Sequence, residues 1–275
     1  HLTHIKKLMK LTTLFLASFL FLLSFSLPLL AQETDPTNAI TIAESDYRHQ
    51  FDQYRDAYNS FTLAKSQWLS SLNLKTEQEA LQAAKLAASA RVDVMTSYTR
   101  WLRLQLLQFT STYEKAANLA ARLEELNSWY LTHKTNIQAA GSTPAFDQVM
   151  VEYSDPQAKI NRDALYSTAQ TELKVAQLAY YQHYSRAIYD PVLKALQDKT
   201  DIPEVEQGLS RIDQLGKEIN DELDAISTFG GTLEAESFNP VQYFRKVNER
   251  LSEVHSKQIT LLNLMIELES RYVRN

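Results

Sequence analysis

From Phe244 to Tyr272 the apolar positions return at alternating steps of three and four, through Val247, Leu251, Val254, Leu261, Met265 and Leu268, with Gln258 as the polar member of the series. The period stays close to about 3.5 residues, the spacing of a helix whose apolar seam faces a neighbour along its length. The same frame carries Ala116, Leu119, Leu123, Leu126, Tyr130, His133 and Ile137, and again Val205, Leu209, Ile212, Gly216, Ile219, Leu223 and Ile226. A fourth series runs Leu81, Ala84, Ala88, Arg91, Met95, Tyr98, Leu102. In the first long segment the stripe is aromatic: DYRHQFDQYRDAYNSFTLAKSQWL sets Tyr47, Phe51, Tyr54, Tyr58, Phe61 and Trp68 in the inward frame, and they are expected to be mostly core.

The breaks between these series are few. Neither proline nor glycine occurs between Pro36 and Gly141, and the chain holds five glycines, well below the average of about 7%. Strands would need more turn chemistry, so the chain reads as all-α. Helices are predicted over about 43–72, 76–109, 111–140, 156–189 with a kinked continuation to 198, 203–229, and 240 to near the C-terminus, with one further short turn after Pro144. Thr76 with Glu79, and Ser111 with Glu114, read as capping boxes. Asp155, Asp201 and Asn239 can cap free N–H groups ahead of prolines tolerated in a first turn. The expected architecture is an elongated antiparallel bundle of five or six long helices with coiled-coil-like seams, in one domain over 43–275 with a sub-boundary near 141–156. Residues 32–42 are expected to be a disordered linker.

The N-terminus follows another rule. Lys6, Lys7 and Lys10 precede a run without charge from Leu11 to Ala31, broken at Pro28, the layout of an export signal. Residues 1–31 are therefore read as a signal peptide with Met9 as the true start, and a retained membrane anchor is the alternative. Removing three lysines and no acids takes the formal charge from −5 to −8. An acidic exported chain has no electrostatic attraction to nucleic acid or to an anionic membrane surface. With no cysteine, disulfides, thiolate metal sites and haem attachment through cysteine are excluded.

Candidate chemistry is thin. Histidines 49, 133, 183 and 255 fall on four different helices, and Asp46-x-x-His49 is the nearest approach to the paired Glu-x-x-His units of di-metal bundles. No metal ligand set and no cofactor is assigned. His133, His183, Tyr180 and Tyr184 are the weak candidates for a ligand, because two of them share inward frames and the tyrosines crowd the run from Leu178 to Tyr189. That run is apolar on more than one face, as befits a helix central to the bundle; an interaction surface is the other reading. Arg91 interrupts a seam and is expected to pair with Asp56, while Lys65 should reach water. Glu124 and Glu125 read as a solvated face. No hydrolase, phosphate-loop or dinucleotide motif is present, so no catalytic residue is assigned and the chain is not expected to be an enzyme.

YRDAYNSFTLAKSQWLSSLNLKTEQEAL and the following SARVDVMTSYTRWLRLQL resemble, over residues 47–110, uncharacterised secreted helical-bundle proteins of uncultivated small-genome bacteria. The resemblance implies an exported bundle and no activity. The expectation is a structural, scaffold or protein-binding component of the cell envelope or exterior, with a protein partner or self-association. A sensor or carrier for a small ligand, haem or metal, and a periplasmic holdase chaperone, are the alternatives.

Overall fold

Seven helices make up the computed structural model, which describes residues 36–231 and 239–273: α1 Pro36–Ser71, α2 Leu74–Leu107, α3 Glu114–Ala139, α4 Thr143–Ser154, α5 Pro156–Gln197, α6 Pro203–Gly231 and α7 Pro240–Tyr272. The protein is all-α, with no strand among the described residues. The leader reading of residues 1–31 lies outside them. Among the described residues no helix is long and apolar enough to cross a membrane.

Local chemistry sets most boundaries. Asp155 Oδ1 accepts from the Ala158 N–H at 2.7 Å, and Asn239 Oδ1 accepts from Val241 and Gln242 at 3.1 and 3.2 Å, each ahead of a proline in the first turn. Two expected capping boxes are replaced. Helix α2 is capped by Asn73, whose Oδ1 accepts from Thr76 N–H at 3.0 Å, so it starts before Thr76; Leu72, at φ 47°, makes the preceding turn in the left-handed region. Helix α3 starts at Glu114 after Tyr113, which makes no side-chain cap bond, because the Tyr113 hydroxyl is committed elsewhere. Residues 36–42, expected as linker, belong to α1: Pro36 fits a first helical turn and no breaker follows it. The short turn expected after Pro144 is the twelve-residue α4, capped by Ser142.

Helices α2 and α3 run antiparallel, clipped by Lys134 to Asp93 at 2.6 Å and Arg103 to Glu124 at 3.1 Å. Glu124 is thus paired rather than merely solvated. Helix α5, 42 residues or about 60 Å long, continues through Pro191 and packs on α2, α3 and α4 and, from about Thr171 onward, on α6 and α7. Residues 40–275 form one compact unit. Thr171 meets Tyr243 and Leu178 meets Gln258, so α5 and α7 run parallel; Glu222 meets Arg250 and Glu218 meets Lys257, so α6 runs against α7.

Three apolar clusters hold these elements. The first joins α2 to α5 around Val92, Leu106, Leu123, Tyr130, Tyr153 and Leu165. The second gathers Val175, Ile219, Leu223, Ile226, Val247 and Val254, and the third Leu196, Val205, Ile212, Met265 and Leu268. Each fully buried Leu, Ile or Val contributes about 1.5–3 kcal/mol by leaving water. The seams of α3, α6 and α7 are therefore the buried faces that their spacing predicts.

Helix α1 departs from expectation. Tyr47 packs on Tyr98 and Trp101, with ring centroids 5.3 and 5.8 Å away, and Asp46 lies 3.7 Å from Arg100. Further along the same face of α1, Tyr54, Phe61 and Trp68 are half-buried. Yet Phe51 and Tyr58 are 47% and 51% exposed, and Leu63, Leu69 and Leu72 more so. The aromatic stripe is a half-buried seam with a free flank, not core, because α1 contributes no residue to any of the three clusters.

Candidate functional site

Around His133 the first cluster becomes a stack of rings and cations. His133 on α3 packs against both Trp129 and Tyr153, with centroids 5.1 and 5.3 Å away; those two rings also stack on each other at 6.1 Å, and the imidazole is nearly parallel to the indole at 7°. Arg162 sits over both Trp129 and Tyr153 and donates to the Tyr153 carbonyl at 2.5 Å; Arg91 covers Tyr153 at 4.5 Å. Arg91 thus leaves Asp56 unmatched, because the electron-rich face of Tyr153 supplies its partner. Lys65 is exposed and lies 5.9 Å above Phe61. His133 is 2% exposed and neither ring nitrogen has a partner. Burial pulls its pKa below the usual imidazole value; Glu152 opposes that and Arg162 adds to it. It is a neutral, packed ring.

The other candidates do not join it. His183 is exposed on α5, edge-on to Tyr184, which is 53% exposed; Tyr180 packs between Tyr184 and Phe109. Arg162, beside His133, and His183 stand 21 residues apart on one helix, about 30 Å. Among the described residues no group of three or more His, Asp or Glu gathers as metal ligands.

A second polar cluster was not legible in the sequence. Glu172 on α5 is 2% exposed and accepts from Ser227 Oγ of α6 at 2.8 and 3.0 Å and from the Tyr113 hydroxyl. Lys115 Nζ lies 3.6 Å from it and donates to Ser227. Burial and the bond to Glu172 push the Tyr113 hydroxyl far above its ordinary pKa. The cluster satisfies one buried carboxylate with donors from two other elements, at the point where Tyr113 touches both the first and second apolar clusters. Its signal in the sequence is only a glutamate on an apolar face of α5. Ser227 is turned toward the carboxylate.

Among the apolar groups left exposed, several lie on α1. Phe51, Tyr58 and Leu69 lie within one side of the helix at 100° per residue, flanking the Tyr47 side that meets α2. No protein-family model matches this chain, and neither curated proteins nor solved structures give a match.

Proposed function

We propose that the protein is a non-enzymatic helical scaffold that binds a protein partner, or a second copy of itself, outside the cytoplasm. The exposed flank of α1 carries this reading. Its apolar residues recur at helical spacing beside a half-buried seam, the form of surface onto which a partner helix packs. Exposed aromatic and aliphatic groups in such a contiguous run are a recurrent mark of protein contact. The leader pattern of residues 1–31 supports export, and the acidic surface supports a partner other than nucleic acid. The antiparallel coiled-coil bundle inferred from the seams belongs to the same reading: α1 is its most weakly covered helix.

The test is the solution mass of the chain with and without cross-linking in its native envelope. The combined Phe51→Glu and Tyr58→Glu variant should lose association while keeping its melting temperature, since both positions are exposed and surface changes cost within about 0.5 kcal/mol. A chain that stays monomeric and captures nothing through α1 in its own envelope sinks the proposal.

A further inference from the structure

Between the second and third apolar clusters the packing of α5, α6 and α7 is interrupted by a cleft of about 970 Å³. Gln182, Ser185 and Arg186 of α5, Gly216 of α6, and His255 and Gln258 of α7 face it. Over the same turns α5 directs apolar groups to water: Tyr184 and Ile188 are 53% and 67% exposed, and Tyr181, at the rim, 69%. Over these two turns Gln182 and Ser185 are half-buried at the cleft and Arg186 lines it while exposed, whereas no apolar residue from Tyr181 to Ile188 is buried, which opposes the ordinary burial preference unless the half-buried groups meet something.

Within the chain they meet it only in part. Gln258 Nε2 donates to the Leu178 carbonyl at 3.0 Å. Gln182 Oε1 is shut off from solvent with no partner. The Arg186 guanidinium lies across Gly216, 3.5 Å from where a Cβ would stand, an ordinary contact distance along the floor. Arg186 forms no ion pair among the described residues, although Asp190 and Asp213 also line the cleft, as do Lys174 and His255. Beyond this polar middle the walls are apolar: Leu178, Leu193, Ile212, Leu251, Leu262 and Met265. The lining runs from Lys174 to Leu193 on α5 and from Asn248 to Met265 on α7, about 25 Å along the helices.

We propose that this cleft binds a single-chain amphiphile with a monoanionic head, a long-chain fatty acid, its carboxylate on Arg186 and its alkyl chain along the apolar walls. The planar guanidinium fork matches a carboxylate in two parallel hydrogen bonds. Gln182, four residues earlier on the same face, presents its N–H groups to that carboxylate after a half-turn of its amide. The two acids in the lining disfavour a dianionic phosphate head. Elongated, with apolar walls beyond a polar middle, the cleft suits a ligand with one polar head and a long apolar tail. This site lies on other elements than the α1 surface and does not depend on it.

The experiment titrates the full chain with cis-parinaric acid and displaces it with palmitate or with palmityl alcohol, which has the same chain and no charge. Saturable binding is expected, with palmitate competing about tenfold better than the alcohol, the value of a charge-assisted hydrogen bond. Arg186→Gln should remove that advantage, and Ser252→Phe, at an exposed position on the cleft wall, should block both ligands; unchanged helicity and melting would certify the fold of each. The proposal is overturned if no saturable binding occurs, if acid and alcohol compete equally against the unaltered chain, or if Ser252→Phe leaves binding intact. A fatty acid that fails to bind while Ser252→Phe changes the solution mass would assign the cleft to a second copy instead.

Discussion

Buried polar side chains divide into those with partners and those without, and the difference sets what each does to stability. His133 has none for either nitrogen. Its folded pKa lies below the ordinary 6.5, first through desolvation and then through Arg162, with Glu152 opposing. The unfolded chain therefore binds this proton more tightly than the folded one. Stability is full above about pH 6.5 and falls as the pH drops through the unfolded value toward the depressed folded one. His133→Phe keeps a ring against Trp129 and Tyr153 and removes two orphaned nitrogens. It should raise stability by about 1 kcal/mol near neutral pH, and the gap over the unaltered chain should widen toward about pH 5. Urea denaturation at both pH values reads this directly, and a gap that stays constant would show that His133 does not titrate on unfolding. Glu172 is the opposite case, a buried carboxylate with donors from Tyr113 and Ser227 and a cation 3.6 Å away. Tyr113→Phe should cost about 2 kcal/mol, because it takes a donor from a charged acceptor that cannot reach water. Lys115→Met should cost less, since that side chain is half exposed. The order of the two denaturation midpoints checks the account.

Single helices show where intrinsic preference and packing disagree, and two glycines on α6 separate the two effects. Either one replaced by alanine gains up to about 1 kcal/mol of helix propensity. At Gly216 the new methyl would meet Arg186 at 3.5 Å, an ordinary contact, so Gly216→Ala should stabilise. At Gly208 it would stand 2.7 and 2.9 Å from the Leu268 methyls and 3.3 Å from Cγ, and Leu268 is 5% exposed with nowhere to turn. Gly208→Ala should therefore lose about 1 kcal/mol net, since overpacking costs more than propensity returns. Thermal melts of opposite sign are the expected result; two upward shifts would mean that Leu268 moves freely. The same contrast explains what the sequence made readable. On α3, α6 and α7 one face is buried along the whole helix, so period alone identifies Leu123, Ile219 and Val254 as interior. On α1 the period is as regular, but period cannot report how many neighbours a face has, and α1 touches α2 through one flank. On α5 the buried set changes face from Leu165 to Leu196 because its neighbours change, which blurs any single stripe. Arg91 was misread for a related reason: its partner is a ring on α4, an element seen in the sequence only as a turn. The His133 stack and the Glu172 cluster draw on residues far apart in the chain, and only the fold brings them together.

For the whole molecule α5 is the common member, since Leu165 to Ala176 help complete the first core, Val175 joins the second and Leu196 the third. Its stability should therefore vary along its length, although the helix itself is continuous. From Leu165 to Ala176 nearly every turn is buried; from Tyr181 to Ile188 no residue is buried and the inner face borders the cleft; Leu196 is fully buried again. Pro191 adds to the weakness by lacking an N–H, so the carbonyl one turn earlier loses its helical partner. Local opening follows buried contact rather than hydrogen-bond pattern, so amide exchange should be slow over 165–176, markedly faster over 181–190 and slower again near 196. Uniform protection along α5 would refute this. The cleft makes a second demand on the same measurement. A ligand that binds only the closed cleft stabilises that state by mass action, so palmitate should slow exchange over 181–190 and in the facing turns around Gly216 and Gln258. The first cluster, which borders no part of the cleft, should be unchanged. Protection that rises evenly over all seven helices would instead report stabilisation from a site elsewhere, and protection that rises on α1 would locate the fatty acid on its exposed aromatic flank.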